Sequence, residues 1–201
     1  MDIPIRTADL PPGLHARLAA LLRATGAFTE DEVGVAVGMY DEMCEHGARR
    51  PDPAAVAGGD DAPARDLRHP AADASPLSDY RFLGAFTPED VLVGYACYGP
   101  TPSTDRTFDL YWIAVDPAAH GTGIGTLLLS EVERRLQGHH ARLLVVETSS
   151  RSDYAQTRSF YGRRGYTEHA RVRDFYAPGD DRIILTKRFQ DSPRGAGSAS
   201  P

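Results

Sequence analysis

One stretch decides the fold: Asp109-Leu-Tyr-Trp-Ile-Ala-Val115, then Asp116-Pro-Ala-Ala119, then His120-Gly-Thr-Gly-Ile-Gly125. The first segment is β-branched and aromatic, which predicts a buried strand. The proline after it ends the strand because proline has no amide hydrogen to donate to a sheet. From Ile124 apolar residues recur at helical spacing, which predicts a helix that ends at Gly138. The apolar positions of this helix are Leu127, Leu128, Val132 and Leu136.

Three glycines, Gly121, Gly123 and Gly125, lie where the predicted turn meets the helix. They leave the backbone without side chains at a point where several N–H groups face the same way. The first N–H groups of a helix have no partner inside it, and the helix dipole places positive charge at the same end. The turn is therefore predicted to bind an anion.

Two phosphate-binding loops offer other interpretations of this turn. A Walker loop needs Lys and then Ser or Thr after its last glycine, and Ile124-Gly125-Thr126 contains no lysine. A dinucleotide-binding turn needs G-x-G-x-x-G directly after its strand, but here the third glycine comes one residue early. Glu147 nevertheless lies where a ribose-binding acid is expected, so that interpretation stays open. A second interpretation also stays open, in which the glycines only allow the backbone to make a tight turn.

The stretch His120-Gly-Thr-Gly-Ile-Gly125 after Trp112–Val115 resembles the acetyl-CoA signature of the GCN5-related N-acetyltransferase (GNAT) family, Gln/Arg-x-x-Gly-x-Gly/Ala. His120 departs from the pattern, since Gln or Arg is usual there. Backbone N–H groups make most of the pyrophosphate contacts in that family, so the resemblance implies that the change is tolerated. It also implies acetyl-CoA as co-substrate and N-acetyl transfer as the activity.

Composition narrows the class of protein further. The chain has 201 residues, 41% hydrophobic and 25% charged, which is typical of one globular domain. A net charge of −6 argues against a general nucleic-acid binder. Cys44 and Cys97 show neither metal-type spacing nor a disulfide framework, and His139-His140 has no partners, so no metal is predicted. Neither a membrane span nor a signal peptide is found, and the cytoplasm is the expected location.

The chain in order predicts β-α-α-β-β-β-α-β-α-β-β, which is the order of the GNAT fold. The expected fold is therefore α/β, a single domain over 1–189 with a mostly antiparallel sheet of six to seven strands and about four helices. Residues 48–79 are rich in Pro, Ala, Gly and Asp, which predicts an irregular or mobile insertion. Residues 190–201 are small and polar, which predicts a disordered tail.

Phe160-Tyr161-Gly-Arg-Arg-Gly165-Tyr166 is similar to a second GNAT signature, a tyrosine before a helix end followed by glycine and an aromatic residue. The resemblance implies that the Tyr161 hydroxyl protonates the departing CoA thiolate. An unperturbed phenol titrates near pH 10, so it holds a proton to give at neutral pH. A tyrosine on the packed face of the helix is the alternative. Tyr154 stands where the family often has an asparagine that contacts the pantetheine arm.

Acetyl transfer also needs a base, because the attacking amine must lose a proton. Asp109 and Glu147 are the two candidates, and either could instead be a carboxylate at the rim of the sheet. Strict alternation along the strand places Asp109 with Tyr111, Ile113 and Val115 on one face, and Leu110, Trp112 and Ala114 on the other.

The resemblance assigns the remaining cofactor contacts. The backbone of Ile113, Ala114 and Val115 is expected to pair with the pantetheine amides, as an added strand would. The pyrophosphate is expected on the amides of the turn, which are those of His120, Gly121, Thr122, Gly123, Ile124, Gly125 and Thr126. Four arginines also cluster near the cofactor end and are candidates for its 3′-phosphate, with a solvated charged face as the alternative: Arg151, Arg158, Arg163 and Arg164.

For the acceptor, the resemblance indicates the loop between the first two helices and the segment between the last two strands. The candidate substrate residues are Phe28, Glu30, Tyr111, Phe175 and Tyr176. An acidic protein suits a cationic acceptor, so a small-molecule or amino-acid-like primary amine is predicted. A protein N-terminus or lysine is the alternative acceptor, and a non-catalytic acyl-CoA-sensing module is the alternative of another class. A homodimer is possible on this fold.

Overall fold

The structure is a computed structural model that describes residues 4–47 and 80–189. The predicted insertion (48–79) and tail (190–201) lie outside the described residues. The strands are Arg6–Asp9 (β1), Arg81–Phe86 (β2), Leu92–Pro100 (β3), Thr107–Val115 (β4), Leu143–Ser149 (β5), Thr167–Ala177 (β6) and Asp180–Arg188 (β7). The helices are His15–Thr25 (α1), Glu30–Gly47 (α2), Ile124–Gly138 (α3) and Ala155–Gly162 (α4). This confirms the predicted fold class and element order.

All seven strands form one sheet in the order β1-β2-β3-β4-β5-β7-β6. Every neighbouring pair is antiparallel except β4 and β5. A dinucleotide-binding domain is built on a mostly parallel sheet, so this topology excludes the dinucleotide interpretation of the glycine turn. The parallel pairing of β4 with β5 stops at Leu110 and Val146, although β4 continues to Val115 and β5 to Ser149. Beyond that point the two strands are not paired with each other, and this opening is called the fork below.

The prediction for the faces of β4 was wrong beyond Asp109. Cys97 on β3 faces Trp112, but the next residue, Tyr98, faces Leu110, so Tyr111 is one extra residue in β4. Such a β-bulge breaks the alternation of side chains. As a result Leu110 lies on the same face as Ile113 and Val115, while Tyr111 lies with Trp112 and Ala114 on the other.

Each face of the sheet carries its own hydrophobic core. Helix α3 packs one face with Leu128, Leu129, Val132 and Leu136. Leu127, which the spacing placed on this buried face, is 38% exposed, and Leu129 takes its place. Helices α1 and α2 cover the other face, and a capping box starts α2, where Thr29 and Glu32 bond each other's backbone N–H groups.

Among the described residues, no helix combines the length and the apolar composition that crossing a bilayer requires. In the same part of the chain, no cluster of three or more His, Cys, Asp or Glu side chains is placed to hold a metal ion.

Candidate active site

The edge of β4 at the fork offers backbone groups to a ligand. The amide of Asp116 bonds to the carbonyl of Val93 on β3, and antiparallel strands alternate in the direction of their hydrogen bonds. Ala114 therefore directs its backbone groups to its partner Tyr95, whereas Ile113 and Val115 direct theirs into the fork. The carbonyl of Val115 accepts a hydrogen bond from Nε2 of His120 at 3.0 Å. Among residues 4–47 and 80–189, no partner occupies either backbone group of Ile113 or the N–H of Val115.

The glycine turn presents a run of free donors. Gly121 (φ 77°) and Gly123 (φ 87°) adopt left-handed backbone conformations, and Gly123 precedes α3 without a side-chain cap. The first helical bond is donated by Leu127, to the carbonyl of Gly123. Within the described part of the chain, none of the six N–H groups of residues 121–126 has an acceptor. Six unpaired donors at the positive end of a helix form a strong anion site.

These elements line an open cavity of about 840 Å³ between α3 and α4. The predicted cofactor residues that line it are Ile113, Val115, His120, Gly121, Gly123, Ile124, Gly125 and Thr126. Arg163 and Arg164 also line it, and none of the lining residues in the described ranges is acidic. In a chain of net charge −6, a cavity with cationic and no anionic side chains favours an anionic ligand.

Tyr161 forms part of the wall of this cavity. It is 2% exposed, and its ring makes edge contacts with Phe160 and Tyr166, with ring centres 5.2 Å away in each case. Burial raises the pKa of its phenol well above the ordinary value, so the proton stays on the oxygen at neutral pH. Gly165 (φ 83°) follows the end of α4, and the amide of Tyr166 returns to the carbonyl of Tyr161.

The four predicted arginines divide into two pairs. Arg163 and Arg164 line the cavity, whereas Arg158 bonds to the backbone carbonyls of Ser149 and Arg151, at the other end of α4. Arg151 pairs with Asp153 there.

Tyr154, the predicted pantetheine contact, does not line the cavity. Its hydroxyl donates to the carbonyl of Ala27, in the loop between α1 and α2, at 3.0 Å. Burial, and then the charge of Glu32, raises the pKa of this phenol. Tyr154 therefore connects the start of α4 to the loop on the face of α1 and α2.

The two candidate bases lie on either side of the point where the fork opens. Asp109 is still opposite Val145 on β5, and its carboxylate accepts a hydrogen bond from Thr101 at 2.6 Å. Glu147 follows Val146, the last residue of β5 that pairs with β4. Its carboxylate forms an ion pair with Arg182 of β7.

On the face that carries α1 and α2, aromatic side chains line the opening of the fork. Phe28 makes an edge contact with Trp112 with ring centres 5.3 Å apart, and Tyr111 makes one with Tyr80 at 4.9 Å. The predicted acceptor residue Glu30 instead forms an ion pair with Arg23 of α1 at 2.8 Å.

The hairpin of β6 and β7 contributes Phe175 and Tyr176, both about half exposed and 5.0 Å apart between ring centres. The guanidinium of Arg182 lies 4.8 Å from the ring centre of Phe175. Burial, then the charges of Asp180, Tyr154 and Glu32, raises the pKa of Tyr176. Aromatic and acidic groups from β6–β7, α2 and the start of α4 therefore face one another here.

Reasoning from sequence missed Trp112, Arg182 and the contacts of Arg164. The bulge that places Tyr111 on the same face as Trp112 left no local signal. Arg182 is 35 residues from its partner Glu147 in the sequence, and Arg164 is 38 residues from Thr126. Pairs this far apart in sequence can be identified only from the folded structure.

Fold and cavity together define an acyltransferase built on a split sheet. The model of the GNAT acetyltransferase family matches residues 51–166. A structure of a GNAT-family protein from Desulfovibrio desulfuricans is 35% identical, with a TM-score of 0.72, over 92% of this chain and 98% of that one. The chain belongs to the GNAT family of acetyltransferases, as predicted, and acetyl-CoA is the co-substrate that this family's signature implies.

Two further solved structures share the fold at 16% identity, both with a TM-score of 0.61. One is the ribosomal-protein-S18-alanine N-acetyltransferase of Escherichia coli, which covers 97% of this chain and 100% of its own. The other is the PaiA N-acetyltransferase of Thermoplasma acidophilum in complex with coenzyme A, at 93% and 100%. No curated protein sequence matches the chain.

Proposed function

We propose that this protein transfers the acetyl group of acetyl-CoA to a primary amine of a small molecule, by direct attack in a ternary complex. One observation carries the proposal. A single cavity joins a free strand edge, six unpaired amide donors and a buried tyrosine that keeps its proton. These are a site for an amide-bearing arm, a site for an anion and a proton donor.

Acetyl-CoA supplies an activated thioester when bound. The residues of this chain hold it in two places. The free backbone groups of Ile113 and Val115 suit the pantetheine amides, and the amides of residues 121–126 suit the diphosphate. The hydrogen bond from His120 occupies the carbonyl of Val115, so Val115 offers only its N–H to the ligand.

The two substrates are proposed to approach the fork from opposite faces of the sheet. The cavity lies on the face of α3 and α4, and the aromatic residues near Trp112 lie on the face of α1 and α2. The amine nitrogen attacks the carbonyl carbon, a C–N bond forms and the C–S bond breaks. Tyr161 gives its phenolic proton to the departing thiolate. The reacting groups need only be held in position, because the thioester is already activated.

Glu147 is the proposed base for the proton that the amine loses. It lies at the opening of the fork on the acceptor face, whereas Asp109 lies in the paired part of β4. Arg182 holds the Glu147 carboxylate in place. Asp109 stays the alternative base.

For the acceptor we infer a small cationic amine. Besides burial, the negative charges of Glu32 and Asp180 raise the pKa of both Tyr154 and Tyr176, so these carboxylates lie near the two rings. The face of an aromatic ring attracts an ammonium group, and a nearby carboxylate adds to that attraction. A protein acceptor is the alternative, since the structural neighbours include an enzyme for a ribosomal protein.

The test has two stages. Calorimetric titration compares acetyl-CoA with NAD on the wild type and on Gly123→Glu, which places a carboxylate in the anion site. We expect binding of acetyl-CoA alone and its loss in the variant. Thiol release is then measured over a panel of diamines, amino acids, aminoglycosides and peptides. Turnover only with peptides would reject the small-molecule acceptor. Binding without turnover of any amine would indicate the non-catalytic module.

A further inference from the structure

Arg164 is the residue whose contacts the proposed chemistry does not yet use. Its Nη1 donates to the carbonyl of Phe160 at 2.8 Å, its Nη2 donates to the hydroxyl of Thr126, and its guanidinium lies 3.7 Å from the ring centre of Phe160. The side chain is thus fixed across the gap between the end of α4 and the first turn of α3. It forms part of the cavity wall.

Within the described residues, the charge of Arg164 has no counter-charge. In the described part of the chain it forms no ion pair, its neighbour Arg163 forms none either, and its Nε is buried without a hydrogen-bond partner. A guanidinium has five N–H donors, and the two contacts above use two of them. Donors therefore remain for a ligand.

The position is electrostatically unfavourable without an anion. Thr126 is the third residue of α3, so the guanidinium lies beside the positive end of the helix dipole, where a cation is repelled. The unpaired amides of residues 121–126 add positive potential at the same place. An anion bound between the turn and Arg164 would remove both repulsions, and guanidinium groups bind phosphate oxygens in a bidentate manner.

We propose that Arg164 binds the diphosphate of the acyl donor from the side opposite the glycine turn, and so makes this enzyme selective for donors that carry the diphosphate. This rests on the proposed donor, acetyl-CoA. It assigns Arg164 to the diphosphate rather than to the 3′-phosphate.

The experiment measures dissociation constants of three donors, which needs no acceptor amine. Acetyl-CoA carries the diphosphate and the 3′-phosphate, acetyl-3′-dephospho-CoA carries the diphosphate alone, and S-acetylpantetheine carries neither. They are titrated into the wild type, Arg164→Met and Arg164→Lys. Arg134→Met is the matched control, because it removes an exposed positive charge from the far part of the same helix α3. Thermal melts of the free proteins show whether each variant is folded.

For Arg164→Met we expect the first two donors to bind about tenfold or more weakly, by the same factor, and S-acetylpantetheine to change less than twofold. Arg164→Lys should recover part of the loss, and Arg134→Met should bind all three as the wild type does. An equal loss for all three donors would make Arg164 only a support for Phe160 and overturn the proposal. A loss confined to acetyl-CoA would assign it to the 3′-phosphate and overturn it too. If the wild type bound none of the donors, the donor assignment itself would fail.

Discussion

Two glycines of the turn give the most direct test of its geometry. Gly123 has φ 87° and ψ 0°, and a Cβ added there meets no heavy atom within 4 Å. The cost of Gly123→Ala is therefore conformational, about 1–2 kcal/mol for an L-residue in the left-handed region. Alanine also lowers the conformational entropy of the unfolded chain, which stabilises the folded protein by about 0.4–1 kcal/mol. The net loss of unfolding free energy is about 1 kcal/mol.

Gly125→Ala adds the same atom two residues later and is the matched control. Gly125 is in α3, and its Cβ would lie 3.5 Å from the ring of Phe160, an ordinary contact. Alanine in a helix is favoured over glycine, here by about 0.5 kcal/mol. The two variants should thus differ by about 1.5 kcal/mol, or about 3–6 °C in Tm for a chain of this size.

The assay is thermal unfolding followed by circular dichroism, with and without acetyl-CoA. Of the wild type and the two variants, we expect Gly123→Ala to have the lowest Tm and the smallest rise in Tm with acetyl-CoA. The turn can relieve the strain of the added Cβ only by changing its backbone angles, which rotates its amides away from the anion site. Gly125→Ala should be stabilised by acetyl-CoA as the wild type is, and the Gly/Ala alternative in the family signature agrees with this. The reasoning is refuted if Gly123→Ala melts with Gly125→Ala and gains the same ligand stabilisation.

Three shorter predictions follow from the site and the fold. Tyr161→Phe should lower kcat about 100-fold or more and leave acetyl-CoA affinity unchanged; a fall in affinity alone would make the tyrosine structural. If Glu147 is the base, the rise of kcat/KM with pH should be lost in Glu147→Gln and kept in Asp109→Asn. The reverse pattern would make Asp109 the base. Hydrogen bonds from Arg134 and from the arginine after it lower the pKa of Glu131 from 4.5 to about 2. A lowered folded-state pKa stabilises the fold above pH 4.5 and the contribution is lost as pH falls towards 2; urea unfolding of Glu131→Gln should be less sensitive to acid in this range.

Much of the fold follows from local patterns. The order of helices and strands, the capping box that starts α2 and the glycine that follows α4 depend on residues a few positions apart, so the sequence predicts them. The anion-binding turn is local as well. The boundaries of the cavity are not, because they depend on how α3 and α4 are placed over the sheet.

What could not be predicted depends on pairing across the sheet. Strict alternation placed Tyr111 with Ile113, but register with β3 inserts Tyr111 as an extra residue. The ion pair of Glu147 with Arg182 needs β7 to lie beside β5, although β7 is 31 residues or more later in the chain. The identity of a base is for this reason harder to predict than the identity of the donor site.

The bulge and the fork have a common origin in β4. Pairing with β5 ends at Leu110, and the extra residue on the β3 side is the next one, Tyr111. A bulge bends its strand and increases its twist, which carries the rest of β4 away from β5 and leaves the groups of Ile113 and Val115 free. The same irregularity brings Tyr111 onto the face of Trp112, the face that carries α1 and α2. One irregularity in one strand thereby frees the backbone edge proposed for the donor and places aromatic rings on the face proposed for the acceptor.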